Sequence, residues 1–228
     1  MMSRIIDHSY LIQSMLGKTN NNIIGSFRLS QINSRSVQTQ LRAAGINTNS
    51  NQYRAAMKQM MKNGNGAMFT NPAAIKNLMS QYDKNGDYID PTTGLTGLLV
   101  TDENRASKNR IISIPESSRN EMFEQTKKEF LRENGVLNGD TTRRSDVYTN
   151  MYRKVQSSDR LAAGHTLSQY ERAYRQAFVN AAKSAEPNWE IGRPIKPGAL
   201  DGVTRESVEA TLKKSGSSLT QVTLDMTI

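Results

Sequence analysis

The 228-residue sequence contains no cysteine. Without thiols there is no disulfide framework, no zinc-thiolate site and no thiolate nucleophile. Histidine is scarce as well, with only His8 and His165, and no HExxH, GxSxG or glycine-rich dinucleotide motif is present. His165 fits a capping or surface position better than a catalytic one. We therefore expect a non-enzymatic protein, and the remaining catalytic alternative is an unrecognised hydrolase that uses carboxylates of residues 83–103.

Long apolar runs are also missing. None approaches the roughly 20 residues that a transmembrane helix requires, so we expect no integral membrane segment. Residues 1–8 are too polar for the apolar core of a cleaved secretory signal. Abundant Asn, Gln, Ser and Thr make the composition similar to that of flagellar axial and type III-exported proteins. We expect a protein that is cytoplasmic or is exported without a cleavable signal.

Positive charge is concentrated at the N-terminus. The net charge of the chain is +9, and residues 1–65 hold eight Lys and Arg against the single acid Asp7. Such a segment is typical of arms that bind nucleic acid or another anionic surface. Because its bases are singly spaced and lack interleaved aromatics, a solvated basic face is the alternative. We predict a partly ordered basic arm over residues 1–30 and a single helical domain over residues 31–228.

Apolar side chains at helical spacing, together with capping residues, predict a mainly α (α+β) fold of six to seven helices. The helices are expected at residues 36–44, 50–63, 72–82, 118–134, 142–156, 166–186 and 204–214, with a short one in the arm at residues 9–16. The best strand candidate is residues 110–114, paired with residues 98–101 or 219–226 in a small two- or three-stranded element. Residues 189–200 contain two prolines and two glycines, so we expect an extended strap that packs through Trp189, Ile191 and Ile195.

Oxygen-bearing side chains alternate after the helix predicted at residues 72–82. Asp83, Asn85 and Asp87 fall at positions 1, 3 and 5 of a loop, which is the spacing of Ca²⁺ ligands in EF-hands. Residues 83–94 thus resemble EF-hand and dockerin-type calcium loops. The resemblance implies a Ca²⁺ ion bound by Asp83, Asn85, Asp87, the Ile89 carbonyl and Asp90.

Two features of this loop depart from the family pattern. Asp87 is followed directly by Tyr88, so the usual glycine after the third ligand is absent, and the twelfth position is Gly94 instead of a bidentate Glu. The alternative is an Asx-rich turn, in which Asn85 and Gly86 form a tight bend and the aspartates cap backbone amides. Because no exit helix is expected, a bound Ca²⁺ would act as a structural clip and not as a sensor.

These observations together predict a structural or protein-interaction domain that contains a structural Ca²⁺ site. An unidentified protein partner is expected, binding of nucleic acid or an anionic surface through residues 1–65 is the alternative, and no small-molecule substrate is indicated. Taken as a whole, the chain resembles an uncharacterised bacterial family of unknown function.

Overall fold

The computed structural model describes residues 34–63, 70–137 and 143–221. Within them, seven α-helices and one antiparallel two-stranded sheet confirm the predicted mainly α fold with a small β element. The elements are α1 (Arg35–Ala43), α2 (Asn51–Lys62), α3 (Pro72–Met79), α4 (Glu116–Glu133), α5 (Arg144–Lys154), α6 (Arg160–Ala185), α7 (Arg205–Ala210), β1 (Leu212–Ser215) and β2 (Ser218–Gln221). The predicted basic arm and its helix at residues 9–16 lie outside the described residues.

The chain divides into two compact units, unit 1 (Met1–Thr96) and unit 2 (Gly97–Ile228). Each has its own hydrophobic core. The prediction that residues 31–228 form a single domain concerns how these units fold together, and it stays a prediction.

Unit 1 contains α1, α2 and α3. Ser50 caps α2 by accepting a hydrogen bond from the Tyr53 amide at 3.1 Å, and Asn71 caps α3, where Pro72 occupies the first turn. These starts agree with the sequence prediction, whereas α3 ends at Met79, earlier than expected. The core is formed by apolar side chains from all three helices and their loops: Leu41, Ile46, Tyr53, Ala56, Met57, Met60, Ile75 and Tyr82.

Unit 2 is built around α4, α5 and α6. Lys154, at the end of α5, donates to the Ser117 hydroxyl at the start of α4, at 3.0 Å. Arg144, at the other end of α5, pairs with Glu129 near the end of α4. The two helices therefore run antiparallel.

The longest helix, α6, contacts both α4 and α5. Tyr152 lies against Gly164 so closely that a Cβ there would meet its hydroxyl at 2.5 Å, and Tyr148 donates to Glu171, farther along α6, at 3.0 Å. Residue numbers fall along α5 as they rise along α6, so these helices are antiparallel, and α4 and α6 are parallel. The prediction that the longest helix is central is consistent with this packing.

Aromatic side chains fill the space between α4 and α6. Phe123 meets Tyr174 edge to face with ring centroids 5.2 Å apart, and Phe130 packs against Phe178 at 5.6 Å. Phe130 also contacts Trp189, which follows α6, at 5.8 Å. Burial of such large rings is the main stabilising contribution to the core of unit 2.

The predicted starts of two helices were wrong. The sequence places caps at Ser118 and Thr166, but α4 begins at Glu116 and α6 at Arg160. Both residues are fully buried inside their helices. The Thr166 hydroxyl donates to the Ala162 carbonyl one turn earlier, at 2.8 Å, which is how a Thr in a helix interior satisfies its donor.

The predicted strand at residues 110–114 was also wrong. The Ile112 amide donates to the Thr166 hydroxyl of α6, at 3.1 Å, so this segment pairs with a side chain and not with a strand. Its position is fixed by burial of Ile111 and Ile114. The sheet lies instead in a C-terminal hairpin in which Leu212 is opposite Gln221, because α7 ends at Ala210, earlier than residue 214.

Candidate functional site

The predicted calcium loop forms a tight turn between Tyr82 and Tyr88. These two residues make an isolated antiparallel bridge, and their rings meet edge to face with centroids 5.9 Å apart. Inside the turn, the Asp83 amide donates to the Asp87 carbonyl and the Gly86 amide to the Asp83 carbonyl, both at 2.9 Å. Gly86 has a φ of +86°, a conformation that favours glycine.

The Asp83 carboxylate accepts hydrogen bonds from backbone amides of this turn. Its Oδ1 accepts from the amides of Asn85 and Asp87, each at 2.9 Å, which is the geometry of an Asx turn. The Ile89 amide donates to the Gln81 carbonyl at 2.8 Å and extends the pairing beyond the bridge. Asp83, Asn85 and Asp87 are therefore brought together by the turn itself.

Asp90 belongs to a second turn. Its Oδ1 accepts from the Thr93 amide and the Thr93 hydroxyl, both at 2.8 Å, and from the Thr92 amide at 3.1 Å. The two hydrogen bonds from Thr93 hold the pKa of the Asp90 carboxyl below its usual value. The Gly94 amide closes the turn on the Asp90 carbonyl at 2.8 Å.

These contacts are the ones that the Asx-rich alternative requires. Asp83 and Asp90 each cap backbone amides, and they do so in successive turns. Across the described ranges, no group of three or more His, Cys, Asp or Glu side chains is placed to hold a metal ion. Calcium binding by Asp83, Asn85, Asp87, Ile89 and Asp90 stays a prediction.

A charged cluster in unit 2 joins α7 to α4 and α6. Glu209 accepts from Arg205 at 3.0 Å, pairs with Arg119 of α4 and accepts from the Tyr174 hydroxyl of α6 at 2.5 Å. Burial, and then the hydrogen bond to Glu209, raise the pKa of Tyr174. Burial alone would lower the pKa of Arg205, but attraction and hydrogen bonds to Glu209 and Glu206 together outweigh it and raise that pKa. Because its charges face one another, the cluster fastens α7 to the bundle.

His165, which we did not expect to be catalytic, contacts the turn of the C-terminal hairpin. Its Nε2 lies 2.7 Å from the Ser217 carbonyl oxygen. The contact links α6 to the turn between β1 and β2, so the imidazole has a packing partner in the fold.

Three large apolar side chains are exposed at one end of unit 2. Val136 is 46% exposed, Leu137 39% and Ile191 62%. They lie on two loops that contact each other, because the Asn134 side-chain oxygen accepts from the Gly192 amide at 2.7 Å. We call Val136, Leu137 and Ile191 the apolar tip.

Sequence reasoning missed this tip, because it expected Ile191 to pack beside Trp189 and Ile195. The structure confirms that expectation for Trp189 and Ile195, which are buried, but not for Ile191. The Trp189 indole nitrogen donates to the Arg193 carbonyl at 3.0 Å and closes a turn with Ile191 on its outside. Gly192, with a φ of +95°, completes that turn. The sequence signal for the rest of the tip is the apolar pair Val136 and Leu137, which directly follows Gly135 at the end of α4.

A groove of about 300 Å³ runs between α4 and α5. Its walls are two matched helical faces with residues at spacings of three and four. On α4 it is lined by Glu121, Glu124, Gln125 and Lys128, and on α5 and the residue before it by Arg143, Asp146, Val147 and Asn150. Seven of these eight lining residues are polar or charged, and Val147 is the apolar one.

Comparison with known proteins identifies a family but no activity. A family model described as a domain of unknown function (DUF3879) matches residues 46–228, so the chain belongs to that family. No curated protein matches the chain, and no solved structure does. In the part of the chain that the structure describes, no helix is long and apolar enough to cross a bilayer.

Proposed function

We propose that this protein is a non-enzymatic interaction domain that docks a partner protein through the apolar tip of unit 2. The observation that carries the proposal is the joint exposure of Val136, Leu137 and Ile191 on two loops that contact each other. Single exposed apolar residues are ordinary on protein surfaces, but a cluster of them is typical of a docking site.

The position of Val136 shows how unusual its exposure is. At the end of α4, the Gly135 amide donates to the Arg132 carbonyl and the Val136 amide to the Leu131 carbonyl, at 3.0 and 2.9 Å. This is a Schellman motif, in which the residue after the glycine commonly makes an apolar contact with the helix.

The same motif ends α1, and there the corresponding residue is buried. The Gly45 amide donates to the Arg42 carbonyl and the Ile46 amide to the Leu41 carbonyl, and Ile46 is only 3% exposed. The motif itself therefore does not require an exposed residue at Val136, and an interaction role accounts for the exposure.

The tip is also held in a fixed conformation. The fully buried Asn134 side chain donates to the Phe130 carbonyl at 2.7 Å while accepting from Gly192, and the Trp189 indole secures the second loop. A surface that is ordered before binding loses less conformational entropy on association.

Site-specific photo-crosslinking in cells of the source organism tests the proposal. A photoreactive amino acid placed at Ile191 or Val136 should crosslink to the same partner protein. The matched position is Leu99, which is 47% exposed and lies elsewhere in unit 2. Crosslinks at the tip that are absent at Leu99 support docking through the tip. Equal crosslinking at all three positions, or none at the tip, contradicts it.

Calcium binding and the basic-segment alternative stay predictions beside this proposal. In the two successive turns of residues 81–95, Asp83 and Asp90 accept hydrogen bonds from backbone amides. Of the basic segment 1–65, the structure describes residues 34–63, in which Ser34 and Ser50 cap helices that pack into the core of unit 1.

A further inference from the structure

The outer face of α2 in unit 1 carries a row of positive charge. Arg54, Lys58 and Lys62 follow one another at intervals of four residues, so they form one row about 12 Å long on the helix surface. All three residues are exposed. The opposite side of the helix is buried in the core of unit 1 through Tyr53, Ala56, Met57 and Met60. The packing of α2 therefore fixes the backbone that carries the row.

The sequence around this row has no acidic residue. Residues 8–82 contain eight Lys and Arg and no Asp or Glu. In the described part of unit 1 the acids are Asp83, Asp87 and Asp90, which lie in the turns of residues 81–95. The groove between α4 and α5, in contrast, is lined by residues of both signs. The charge on the outer face of α2 is thus of one sign.

The arrangement of this row is unfavourable for the helix itself. Positive side chains four residues apart on a helix repel one another. Arg54 also lies near the start of α2, where the helix dipole favours negative charge, and the first turn of α2 contains no acid. Of the three, only Lys62 lies in the last turn, where the dipole favours a cation. A negatively charged partner explains the row better than helix stability does.

The residues beside the row favour one class of anionic partner. In the described part of unit 1 the aromatic residues are Tyr53, Tyr82 and Tyr88, and none of them is exposed. Single-stranded nucleic acid is bound by stacking of its bases on aromatic side chains. A helix that lies on a membrane buries an apolar face in the lipid, but the apolar face of α2 is already buried in the core. Duplex DNA requires neither feature, because its phosphates are contacted by Lys, Arg, Asn and Gln side chains.

We propose that α2 binds duplex DNA through the phosphate backbone, with Arg54, Lys58 and Lys62 each paired with a phosphate. Along about 12 Å of duplex axis one strand carries about three or four phosphates, which matches the three cations of the row. Asn51 is exposed, lies one turn before Arg54 and adds an amide donor. B-form DNA fits better than duplex RNA, because its major groove admits an α-helix and that of RNA is too narrow.

This binding is independent of base sequence, since phosphate contacts fix position and do not read bases. It goes beyond docking through the apolar tip, because α2 belongs to unit 1 and the tip to unit 2. The crosslinking experiment at the tip and the DNA-binding experiment below therefore test separate claims.

Fluorescence anisotropy of the full chain with two labelled DNA duplexes of unrelated sequence, at several salt concentrations, tests the inference. One variant combines three substitutions in the row: Arg54→Gln, Lys58→Gln and Lys62→Gln. Glutamine has a helix propensity similar to that of Lys and Arg, so α2 should still form. The matched control removes one Arg and two Lys that are exposed in unit 2: Arg172→Gln, Lys183→Gln and Lys213→Gln.

We expect the wild-type chain and the control to bind both duplexes with the same affinity. The row variant should bind about tenfold or more weakly at low salt, because three phosphate contacts are lost. The slope of log affinity against log salt should also become shallower by about 2.7, at about 0.9 for each phosphate. Each single substitution in the row should reduce the slope by about 0.9, which supplies the same test if the triple variant does not fold.

Several results would overturn the inference. One is the absence of DNA binding by the wild-type chain, and another is a row variant that binds DNA like the control. Tighter binding to single-stranded DNA, to duplex RNA or to vesicles that contain phosphatidylserine than to duplex DNA also overturns it. A preference for one of the two duplex sequences would contradict binding through phosphates alone.

Discussion

At the scale of single residues, close backbone approaches in unit 2 depend on glycine. Gly97 has a φ of +74°, and a Cβ there would lie 2.1 Å from the Ser157 carbonyl oxygen. Gly216, in the turn between β1 and β2, also has a positive φ, but a Cβ there would meet nothing within 4 Å. Alanine at Gly216 therefore incurs only the cost of the left-handed conformation, and alanine at Gly97 incurs that cost and the cost of a steric clash.

We predict that Gly97→Ala destabilises the protein more than Gly216→Ala does. Gly216→Ala should cost about 1 kcal/mol for the unfavourable φ. Gly97→Ala should cost about 1 to 3 kcal/mol more, because the Ser157 backbone has to move. Denaturant unfolding of both variants measures the difference, and equal costs would contradict the close approach between the backbones of Gly97 and Ser157.

The calcium-loop and Asx-rich-turn interpretations predict different effects of replacing Asp83. If the turn is maintained by its own hydrogen bonds, Asp83→Ala should cost about 1 kcal/mol, through loss of the acceptor for two amides. On this interpretation, we predict that the cost is the same in excess Ca²⁺ and in chelator. Thermal unfolding of the wild-type chain and the variant in both conditions measures it.

The opposite result would establish a calcium site. A bound ion stabilises the wild-type chain by about 2.7 kcal/mol at a hundredfold excess over its dissociation constant. A melting temperature that rises with Ca²⁺ in the wild-type chain, and does not rise in Asp83→Ala, would contradict the self-sufficient turn. Asn77→Ala, a change outside the turn, is the matched control for nonspecific effects of the ion.

At the scale of elements, the charged cluster around Glu209 determines how α7 is attached. Glu209 is 14% exposed and its partner Arg205 8%, and Arg119 of α4 pairs with the same carboxylate. Glu206 also pairs with Arg205, but its side chain is 68% exposed. Removing a buried carboxylate that faces two cations destabilises a protein more than removing one that is exposed to water, because the buried cations lose their partner.

We predict that Glu209→Ala destabilises unit 2 by about 3 kcal/mol, because it leaves buried guanidinium groups without their shared partner. Glu206→Ala, the matched control on the same helix, should leave the unfolding midpoint nearly unchanged. Urea unfolding followed by circular dichroism compares the two variants. Similar midpoints for both would show that Glu209 does not fasten α7.

Helix positions were predictable from the sequence wherever the deciding signal is local. Ser50 and Asn71 mark helix starts because their side chains cap amides two or three residues away. Ser118 and Thr166 are also of residue types that cap helices, yet burial against other elements places them inside helices. The partner of Thr166 is Ile112, 54 residues away, and local spacing carries no information about such a contact.

The candidate sites show the same limit. Asp83, Asn85 and Asp87 lie within one turn, so their closeness follows from the sequence alone, and their predicted role as metal ligands stays a prediction. The apolar tip was missed because Ile191 and Val136 come from loops that are joined by Asn134 and Gly192. Their exposure follows from tertiary contacts, and an apolar residue in an extended strap is expected to be buried from its chemistry alone.

At the scale of the whole molecule, unit 2 combines a well-packed bundle with one end that is apolar and exposed. Aromatic rings fill the space between α4 and α6, and charged side chains fasten α7. The tip lies on loops that hydrogen bonds of the Asn134 side chain and the Trp189 indole hold in place. The stability of the bundle and the binding of a partner should therefore be separable by mutation.

We predict that Ile191→Asp weakens partner binding without unfolding the bundle. Ile191 is 62% exposed, so replacing it removes little packing in the free protein. In a complex it would place a carboxylate in an apolar contact, and the affinity should fall about tenfold or more. Leu99→Asp makes the same kind of change outside the tip and should bind like the wild-type chain.

The most direct measurement is the dissociation constant of the purified partner, identified by crosslinking at the tip, for the wild-type chain, Ile191→Asp and Leu99→Asp. Isothermal titration calorimetry should give a weakened complex for Ile191→Asp alone, while circular dichroism and melting temperature stay the same for all three proteins. Equal affinities for Ile191→Asp and the wild-type chain would contradict docking through Val136, Leu137 and Ile191.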